Sequence, residues 1–356
     1  MKKVTIVTQM IEKRIAHADH LLAGIPGERQ LAEELGMSST TVRAALQQLT
    51  NRGTLVRREN GRLDVADPGG RQKRAIGFAA LAMASPDFDR WREGVVGALE
   101  GHAVTLRPIA YAHWADPALQ DALSGLDGMF FIPLAEKMPR WLTAKMVNAP
   151  CRVVVLDEDA SEAGLPSVMM FPPAAERKLF EHLVRLGHRR IDCLNTQAEN
   201  SVIQARIGAW RGYLDDYEIP GQLRSQTMER PFETAYQIIR DALQEGRPLA
   251  SALFCTTAPA AIGAMRALHE AGLEIGVDVS VCAVNGEGIG QYLLRSLTEL
   301  ASPPRSLYLQ RAVAWMLGDE DWDGPLLVQP ADIPLFEGES TGPAPQSPII
   351  AAKRRS

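Results

Sequence analysis

Residues 26–43 read Pro26-Gly27-Glu28-Arg29-Gln30-Leu31-Ala32-Glu33-Glu34-Leu35-Gly36-Met37-Ser38-Ser39-Thr40-Thr41-Val42-Arg43. The stretch predicts a helix, a tight turn and a second helix. Leu31, Ala32 and Leu35 share one apolar helical face. Gly36 closes that helix, because glycine takes the left-handed conformation at little steric cost. Ser38 or Ser39 caps the next helix by accepting a free backbone N–H. Val42, Ala45, Leu46 and Leu49 form its buried stripe. Thr40, Thr41 and Arg43 are left on or near the outward face of its first turns. Hydroxyls and a cation at the start of a helix suit its entry into the major groove of DNA.

The pattern continues. Gly53 ends the second helix, Thr54–Arg58 reads as a short strand, Asn60-Gly61 as a hairpin turn and Arg62–Val65 as the return strand. The result is a winged helix-turn-helix whose tip, Asn60-Gly61-Arg62, is set to reach a neighbouring groove or phosphate. Over residues 8–66 the sequence resembles the GntR family of bacterial regulators. Pro26, Glu28-Arg29, Leu31-Ala32, Ser38, Thr41-Val42-Arg43, Ala45-Leu46, Leu49, Gly53 and Gly61 stand in the family's order. The resemblance implies a double-stranded DNA operator as partner, read through Arg29, Ser38, Ser39, Thr40, Thr41, Arg43, Gly61 and Arg62. One position departs: family members usually carry Arg just after the capping Ser or Thr, where this chain has Ser39. One expected base or phosphate contact is thereby altered.

The net charge of −5 becomes informative once divided. Residues 1–74 hold 13 Lys and Arg against 8 Asp and Glu, a surplus of five, which leaves −10 for the remainder. A basic N-terminal module on an acidic body is expected where one end meets phosphate. The surplus is modest, so DNA binding should be dimeric and salt-sensitive. Cys151, Cys193, Cys255 and Cys282 are widely spaced and read as buried free thiols of a reducing cytoplasm. No run approaches the ~20 apolar residues of a membrane span, and Met1–Arg14 lacks the apolar core of a signal peptide. A cytoplasmic protein with no membrane partner is expected.

Asp67-Pro68-Gly69-Gly70-Arg71-Gln72-Lys73-Arg74 reads as a linker of turn formers and solvated cations. It is either a plain tether or, through Arg71, Lys73 and Arg74, a further phosphate contact. After it, apolar runs alternate with amphipathic helices. Strands are expected at 75–81, 128–133, 152–156, 190–195, 250–255 and 279–284. Helices are expected at 91–99, around 118–126, and at 175–186, 205–216 and 259–271. Strands that are continuous apolar runs indicate parallel sheets covered on both faces. The fold class is therefore α/β: a winged helix-turn-helix at 1–66, a linker at 67–74 and two doubly wound lobes at 75–341. A ligand cleft is expected between the lobes at the carboxyl ends of the strands. Residues 342–356, rich in Pro, Ser and Ala with a basic end, read as a disordered tail.

Three segments resemble the effector domain of LacI-type repressors, whose fold is that of periplasmic sugar-binding proteins. They are His182–Ile191 (HLVRLGHRRI), Ile262–Leu268 with Ala271-Gly272-Leu273 and Val277–Val281, and Leu297–Leu300 with Glu339-Ser340-Thr341. The resemblance covers residues 74–341. It implies a homodimeric transcription factor, most simply a repressor, controlled by a small-molecule effector of sugar or sugar-acid type. It also carries over an effector-binding set. Arg206 stands where the family uses an Arg on the helix after the Gly-His-Arg-Arg strand. Phe232 falls in the loop that often holds an aromatic ring, and Asn285 replaces the family's Asp after the strand at 279–284. Ser302 lies near the last crossover. Phe171-Pro172 and Thr257-Ala258 replace an Asp-Asn and an Asn-Asp pair. Losing those amides and carboxylates favours a less hydroxylated or partly aromatic effector, such as an acid held by Arg206. A cleft that binds nothing, or a head without DNA affinity, is the alternative. Trp91, Trp114 and Trp210 are expected in the core.

His188, in a Gly-His-Arg-Arg turn, reads as structural. No nucleophile elbow, phosphate loop or zinc-protease motif is present, and the histidines lack metal-ligand spacing. No catalytic residue, metal or cofactor is expected.

Overall fold

The computed structural model describes residues 3–16, 27–57, 63–65, 74–83, 85–227 and 230–346. Its contacts divide the chain into two compact units, Met1–Gly77 with Gly101–Pro108, and Phe78–Glu100 with Ile109–Ser356.

The first unit opens with helix α1 (Lys3–Ala16), for which the sequence raised no expectation. Then come α2 (Glu28–Glu34), α3 (Ser39–Asn51), β1 (Leu55–Arg57) and β2 (Leu63–Val65). Val7 and Ile11 of α1 pack with Leu31, Val42, Leu46, Leu49 and Leu55 in one small core. The turn between α2 and α3 is closed by its backbone. Gly36, at φ +59°, follows the last helical residues. Met37 N donates to Ala32 O at 2.9 Å and Gly36 N to Glu33 O at 3.2 Å. This crossed pair satisfies carbonyls that a helix end otherwise leaves free. Ser38 caps α3 by accepting from Thr41 N at 3.3 Å. Gly53, at φ +72°, closes α3 in the same way. The two wing strands pair antiparallel with Leu55 opposite Val65 and Arg57 opposite Leu63. The expected tip residues Asn60, Gly61 and Arg62, and most of the expected linker, lie outside the described residues.

The remaining elements form two lobes. The first lobe is built from β3 (Arg74–Leu81), α4 (Pro86–Leu99), β4 (Val104–Tyr111), α5 (Pro117–Gly125), β5 (Gly128–Phe131), α6 (Arg140–Val147), β6 (Arg152–Leu156) and β7 (Ser167–Val168). The second comprises α7 (Arg177–Arg185), β8 (Ile191–Asn195), α8 (Ser201–Asp216), β9 (Leu223–Ser225), α9 (Pro231–Gln244), β10 (Ala252–Cys255), α10 (Ala258–Glu270), β11 (Ser280–Ala283) and β12 (Thr298–Leu300). The chain then returns to the first lobe for α11 (Arg305–Leu317) and β13 (Leu327–Val328), and crosses back for β14 (Leu335–Phe336). The sheets run β4-β3-β5-β6-β7-β13 and β9-β8-β10-β11-β12-β14. β8, β10 and β11 are parallel and wholly buried; β10 is an unbroken apolar run, whereas β8 carries Asp192 and Asn195 and β11 opens on Ser280. Only β14 joins the second sheet antiparallel.

The structure corrects the expected tail. Gly342–Gln346 are ordered against the second lobe. Gly342 O accepts from His188 Nε2 at 3.1 Å, and Ala344 N donates to Leu186 O at 2.9 Å. Composition predicts a tail here, but a buried imidazole needs an acceptor, and this carbonyl supplies it. Since a carbonyl only accepts, Nε2 carries the proton, and Nδ1 accepts from Ser251 Oγ at 2.8 Å. His188 is thus a structural residue. Residues 347–356 lie outside the described residues.

The return helix α11 packs against α4 at one tight point. A Cβ on Gly94 would stand 2.7 Å from Arg305 Cβ, whereas one on Gly97 would meet Ser306 Cβ at 3.4 Å. Gly94→Ala should therefore push the helices apart and destabilise the protein by about 1–3 kcal/mol. Gly97→Ala should be neutral or stabilising by a few tenths of a kcal/mol up to ~1, from reduced backbone entropy. Urea unfolding of both variants checks this; equal midpoints would contradict it.

Candidate nucleic-acid interface and ligand cleft

The head presents the start of α3 to solvent. Ser38, Ser39 and Thr40 are exposed, Thr41 is half-buried and Arg43 is exposed. No acidic residue occupies the first turn of α3. The helix dipole there is unopposed, and free N–H groups face outward, which favours phosphate. The inward stripe is the expected one, with Val42, Ala45, Leu46 and Leu49 buried. Arg43 is not idle: its Nε donates to Glu28 Oε2 at 2.8 Å, across the turn. An exposed pair of this kind contributes little stability, so Arg43 can exchange Glu28 for a base or phosphate. Arg29, on α2, is exposed. Gln47 is also exposed on α3, one turn beyond Arg43, and bonds Asn51 Oδ1. Sequence reading passed over it, though the four-residue spacing from Arg43 places it on the same face.

The cleft between the lobes is built from strand ends and from α4, α8 and α11. Asp87, in the first turn of α4, is its hub. Arg305 Nη1 donates to Asp87 O at 2.9 Å, and Nη2 donates to the Asp87 carboxylate. Asn285 Nδ2, from the loop after β11, donates to Asp87 Oδ1 at 3.0 Å across the cleft. A second bridge joins Ser201 Oγ, at the start of α8, to Glu158 Oε1 at 3.0 Å. The Arg305 guanidinium lies 4.4 Å over the ring of Trp91, which is fully buried. Arg206 on α8 is buried. Its Nη1 donates to Thr256 O at 2.8 Å, and its Nε faces Glu176 Oε1 at 3.8 Å. Glu176, in the crossing segment before α7, is fully buried, and neither carboxylate oxygen has a hydrogen-bond partner among the described residues.

Burial dominates the titration of this region. Burial and the Asp87 carboxylate lift Asp157 to about 7, although Arg206 and Arg305 oppose the rise and Glu158 adds to it. Glu287 is lifted to about 7 by burial and Asp87, against Arg206, Arg305 and Arg90. Burial also lifts Glu299 to about 7 against Arg90, and Glu176 to about 8 against Arg206. Asp157 and Glu287 both hold left-handed backbones, at φ +62° and +52°. Such conformations are uncommon outside glycine and gather at functional sites.

Of the expected effector set, Arg206 and Asn285 enter this cluster, Arg206 through Asp157 and Glu287, Asn285 through Asp87. Thr257 sits before α10 with its Oγ1 buried and without a partner among the described residues. Phe171 is buried in the first crossing segment, and Ser302 in the second donates to Pro303 O at 3.2 Å. Phe232 is 43% exposed in the first turn of α9. Trp91 and Trp210 lie in the core; Trp210 Nε1 donates to Ile191 O at 3.2 Å. Trp114 is half-buried beside Tyr111 and Phe131. Sequence reading missed Asp87, Asp157, Glu176, Glu287 and Arg305. A usable signal existed for Asp157 alone: it directly follows the apolar run Arg152–Leu156, where ligands meet parallel strands.

Because Asp157 and Glu287 titrate higher in the folded chain, the folded state holds protons that the unfolded state has released between pH about 4 and 7. Their contribution to stability therefore falls as pH rises through that window. Combining Asp157→Asn with Glu287→Gln should raise the melting temperature at pH 7.5 more than at pH 5. A variant whose melting curves track the parent at both pH values would contradict this.

Comparison with known proteins finds two family models in the chain. Residues 6–65 match the family model for bacterial regulatory proteins of the gntR family, and residues 180–319 match the periplasmic binding protein-like domain. Over 254 residues the chain is 23% identical to the HTH-type transcriptional regulator GntR of Escherichia coli (strain K12), covering 69% of this chain and 75% of that protein. It is 24% identical over 295 residues to the HTH-type transcriptional repressor CytR of the same organism, covering 77% and 84%. The Lac repressor dimer bound to operator and the anti-inducer ONPF superposes with a TM-score of 0.63 at 22% identity, covering 77% of this chain and 96% of that one. A LacI-family transcriptional regulator from Enterococcus faecium with bound ribose gives 0.64 at 21% identity, covering 76% and 100%. These relatives are transcriptional regulators. Among the described residues no helix is long and apolar enough to cross a membrane. The chain thus joins a GntR-type winged helix-turn-helix to a LacI-type, periplasmic-binding-protein-like domain, the make-up of a DNA-binding transcriptional regulator with a small-molecule effector.

Proposed function

We propose that this chain represses transcription as a homodimer, that each protomer reads one half of a two-fold-related operator, and that a molecule held between the lobes adjusts the grip. One observation carries the reading: the exposed, acid-free first turn of α3, bearing Ser39, Thr40 and Arg43, belongs to the same chain as a cleft bridged by Asp87 and Asn285. A two-fold dimer presents two such helices, so half-site spacing follows from its symmetry. Arg29 and Arg43 supply cations, and Ser39 and Thr40 supply hydroxyls; Arg62, outside the described residues, is a further candidate cation. With Ser39 in place of the family's Arg, one contact of each half-site is a hydroxyl rather than a charge. Affinity then leans more heavily on Arg43.

The effector acts by binding the two lobe arrangements unequally, which is the only way a ligand can shift them. The movable contacts are the Asp87–Asn285 and Glu158–Ser201 bridges. The backbone crosses between lobes at 168–177, 300–305 and 328–335, and these segments would take up the change.

Selection of operator sequences from random duplexes by the full chain tests the reading; recovery of no shared sequence would defeat it. On the selected operator, Arg43→Ala should cost about 1–3 kcal/mol per half-site if it meets a base. If Arg43 meets phosphate, the slope of log affinity against log salt should instead fall by about one per protomer. Parent-like affinity together with a parent-like slope would remove Arg43 from the interface.

A further inference from the structure

The cleft holds two buried guanidiniums, and they are kept differently. Arg305 is locked: Nη1 donates to Asp87 O at 2.9 Å, and Nη2 donates to the Asp87 carboxylate. Arg206 is fastened at one corner, where Nη1 donates to Thr256 O at 2.8 Å. Its acid, Glu176, stands 3.8 Å from Nε, beyond a hydrogen bond. Among the described residues Arg206 Nε and both Glu176 oxygens are buried without a partner, and Arg206 Nη2 makes no hydrogen bond. The place of Glu176 is set locally. Pro172 and Pro173 fix the backbone that follows the buried Phe171, and Ala175 N donates to Pro172 O at 2.9 Å. The short 3₁₀ turn Pro173–Glu176 then ends with its last side chain fully buried.

That carboxylate does not serve the fold in the way other buried acids do. Asp192, equally buried, accepts from Gln222 N at 3.0 Å, Ala250 N at 3.2 Å and Arg190 Nε at 3.2 Å, and so ties separate segments together. Glu176 ties none among the described residues. Burying an acid without hydrogen bonds is costly, and an apolar side chain there would avoid the cost. What Glu176 has is Arg206: two charges 3.8 Å apart in a dry setting act on each other far more strongly than in water. Beside them, the carboxyl ends of β8 and β10 carry the buried, unpartnered hydroxyls of Thr196 and Thr257, next to the Thr256 Oγ1–Asn195 Oδ1 bond of 2.8 Å. A hydroxyl donates or accepts, so these groups suit a charged and a neutral ligand alike. Discrimination between the two falls to the Glu176–Arg206 pair.

We propose that Glu176 is the specificity-determining residue of the cleft: its carboxylate competes with that of a ligand for the Arg206 guanidinium, and so sets whether an acid or a neutral molecule is taken. The step rests on reading the cleft as the effector site. With Glu176 ionised the pair is neutral, and a ligand carboxylate gains little from Arg206. With Glu176 protonated the guanidinium is uncompensated, and a ligand carboxylate replaces the charge that Glu176 gave up. An acid is therefore bound together with a proton, and a neutral molecule without one. Burial lifts Glu176 to about 8 against Arg206, which brings the exchange within reach of neutral pH. The Cys193 thiol on β8 also senses Glu176, and burial keeps it protonated. Arg177, next in the chain, pairs with Glu181 instead. Asp157 and Glu287 interact with Arg206 too, and their titration is common to the parent and to any Glu176 variant.

Isothermal titration of the full chain tests this with matched acid and neutral compounds, glucuronate with glucose and benzoate with benzyl alcohol, at pH 6 and pH 9. Glu176→Gln and Glu176→Met each remove the charge, Glu176→Asp keeps it, and circular dichroism follows the fold. At pH 9 at least one acid should bind a charge-removing variant about tenfold more tightly than the parent. At pH 6, where the parent's Glu176 is protonated, the two affinities should agree within about threefold. The neutral member of the pair should be indifferent to the substitution at both pH values, whereas a merely structural Glu176 would move acid and neutral compound together. The Asp variant should follow the parent, and adding Arg206→Met to Glu176→Gln should abolish the gain. Equal acid affinity of parent and charge-removing variants at pH 9, an equal gain for the neutral compound, no acid bound by either charge-removing variant, or a gain that survives without Arg206 would overturn the proposal. Operator affinity measured with the same compounds separates the two layers. An acid that binds in this Glu176-dependent way but leaves operator affinity unchanged defeats the effector reading alone. An acid that shifts operator affinity at pH 9 to the same degree in parent and Glu176→Gln defeats the assignment of Glu176 alone.

Discussion

The Asp87 carboxylate is the fixed point of the ligand-binding part of the molecule. It joins the first turn of α4 to the head of α11 through Arg305, and to the opposite lobe through Asn285. A buried guanidinium is tolerated only where paired charge and hydrogen bonds offset its lost hydration. Here the offset comes from Asp87 and from the face of Trp91. Gly94 makes the arrangement possible, because any side chain there would collide with Arg305 Cβ. One missing methyl group in α4 thus sets the position of a charge that both lobes share.

What the sequence reveals and what it hides follow from the range of the interactions. The head is legible because its determinants are local. Gly36 and Ser38 act on residues a few positions away, and the buried stripe of α3 repeats within a single helix. The central strands are legible because burial on both faces leaves unbroken apolar runs, as in Arg152–Leu156 and Ala252–Cys255. β4 escapes because it is largely half-exposed and carries Pro108, so its run is broken by polar and turn-forming residues. β9 escapes because three residues, one of them a buried Arg224, give no period at all.

The cleft is hidden for the opposite reason. Asp87, Asp157, Glu287 and Arg305 are spread over more than half the chain, and each is a single charged residue in unremarkable company. Only the crossing connections bring them together. Arg206 could be placed in advance because the Gly-His-Arg-Arg turn upstream anchors its register, but its engagement by Glu176 could not. Glu176 lies in a crossing segment whose path is set by tertiary packing. The order of Gly342 is equally non-local, since it depends on His188, which lies 154 residues earlier.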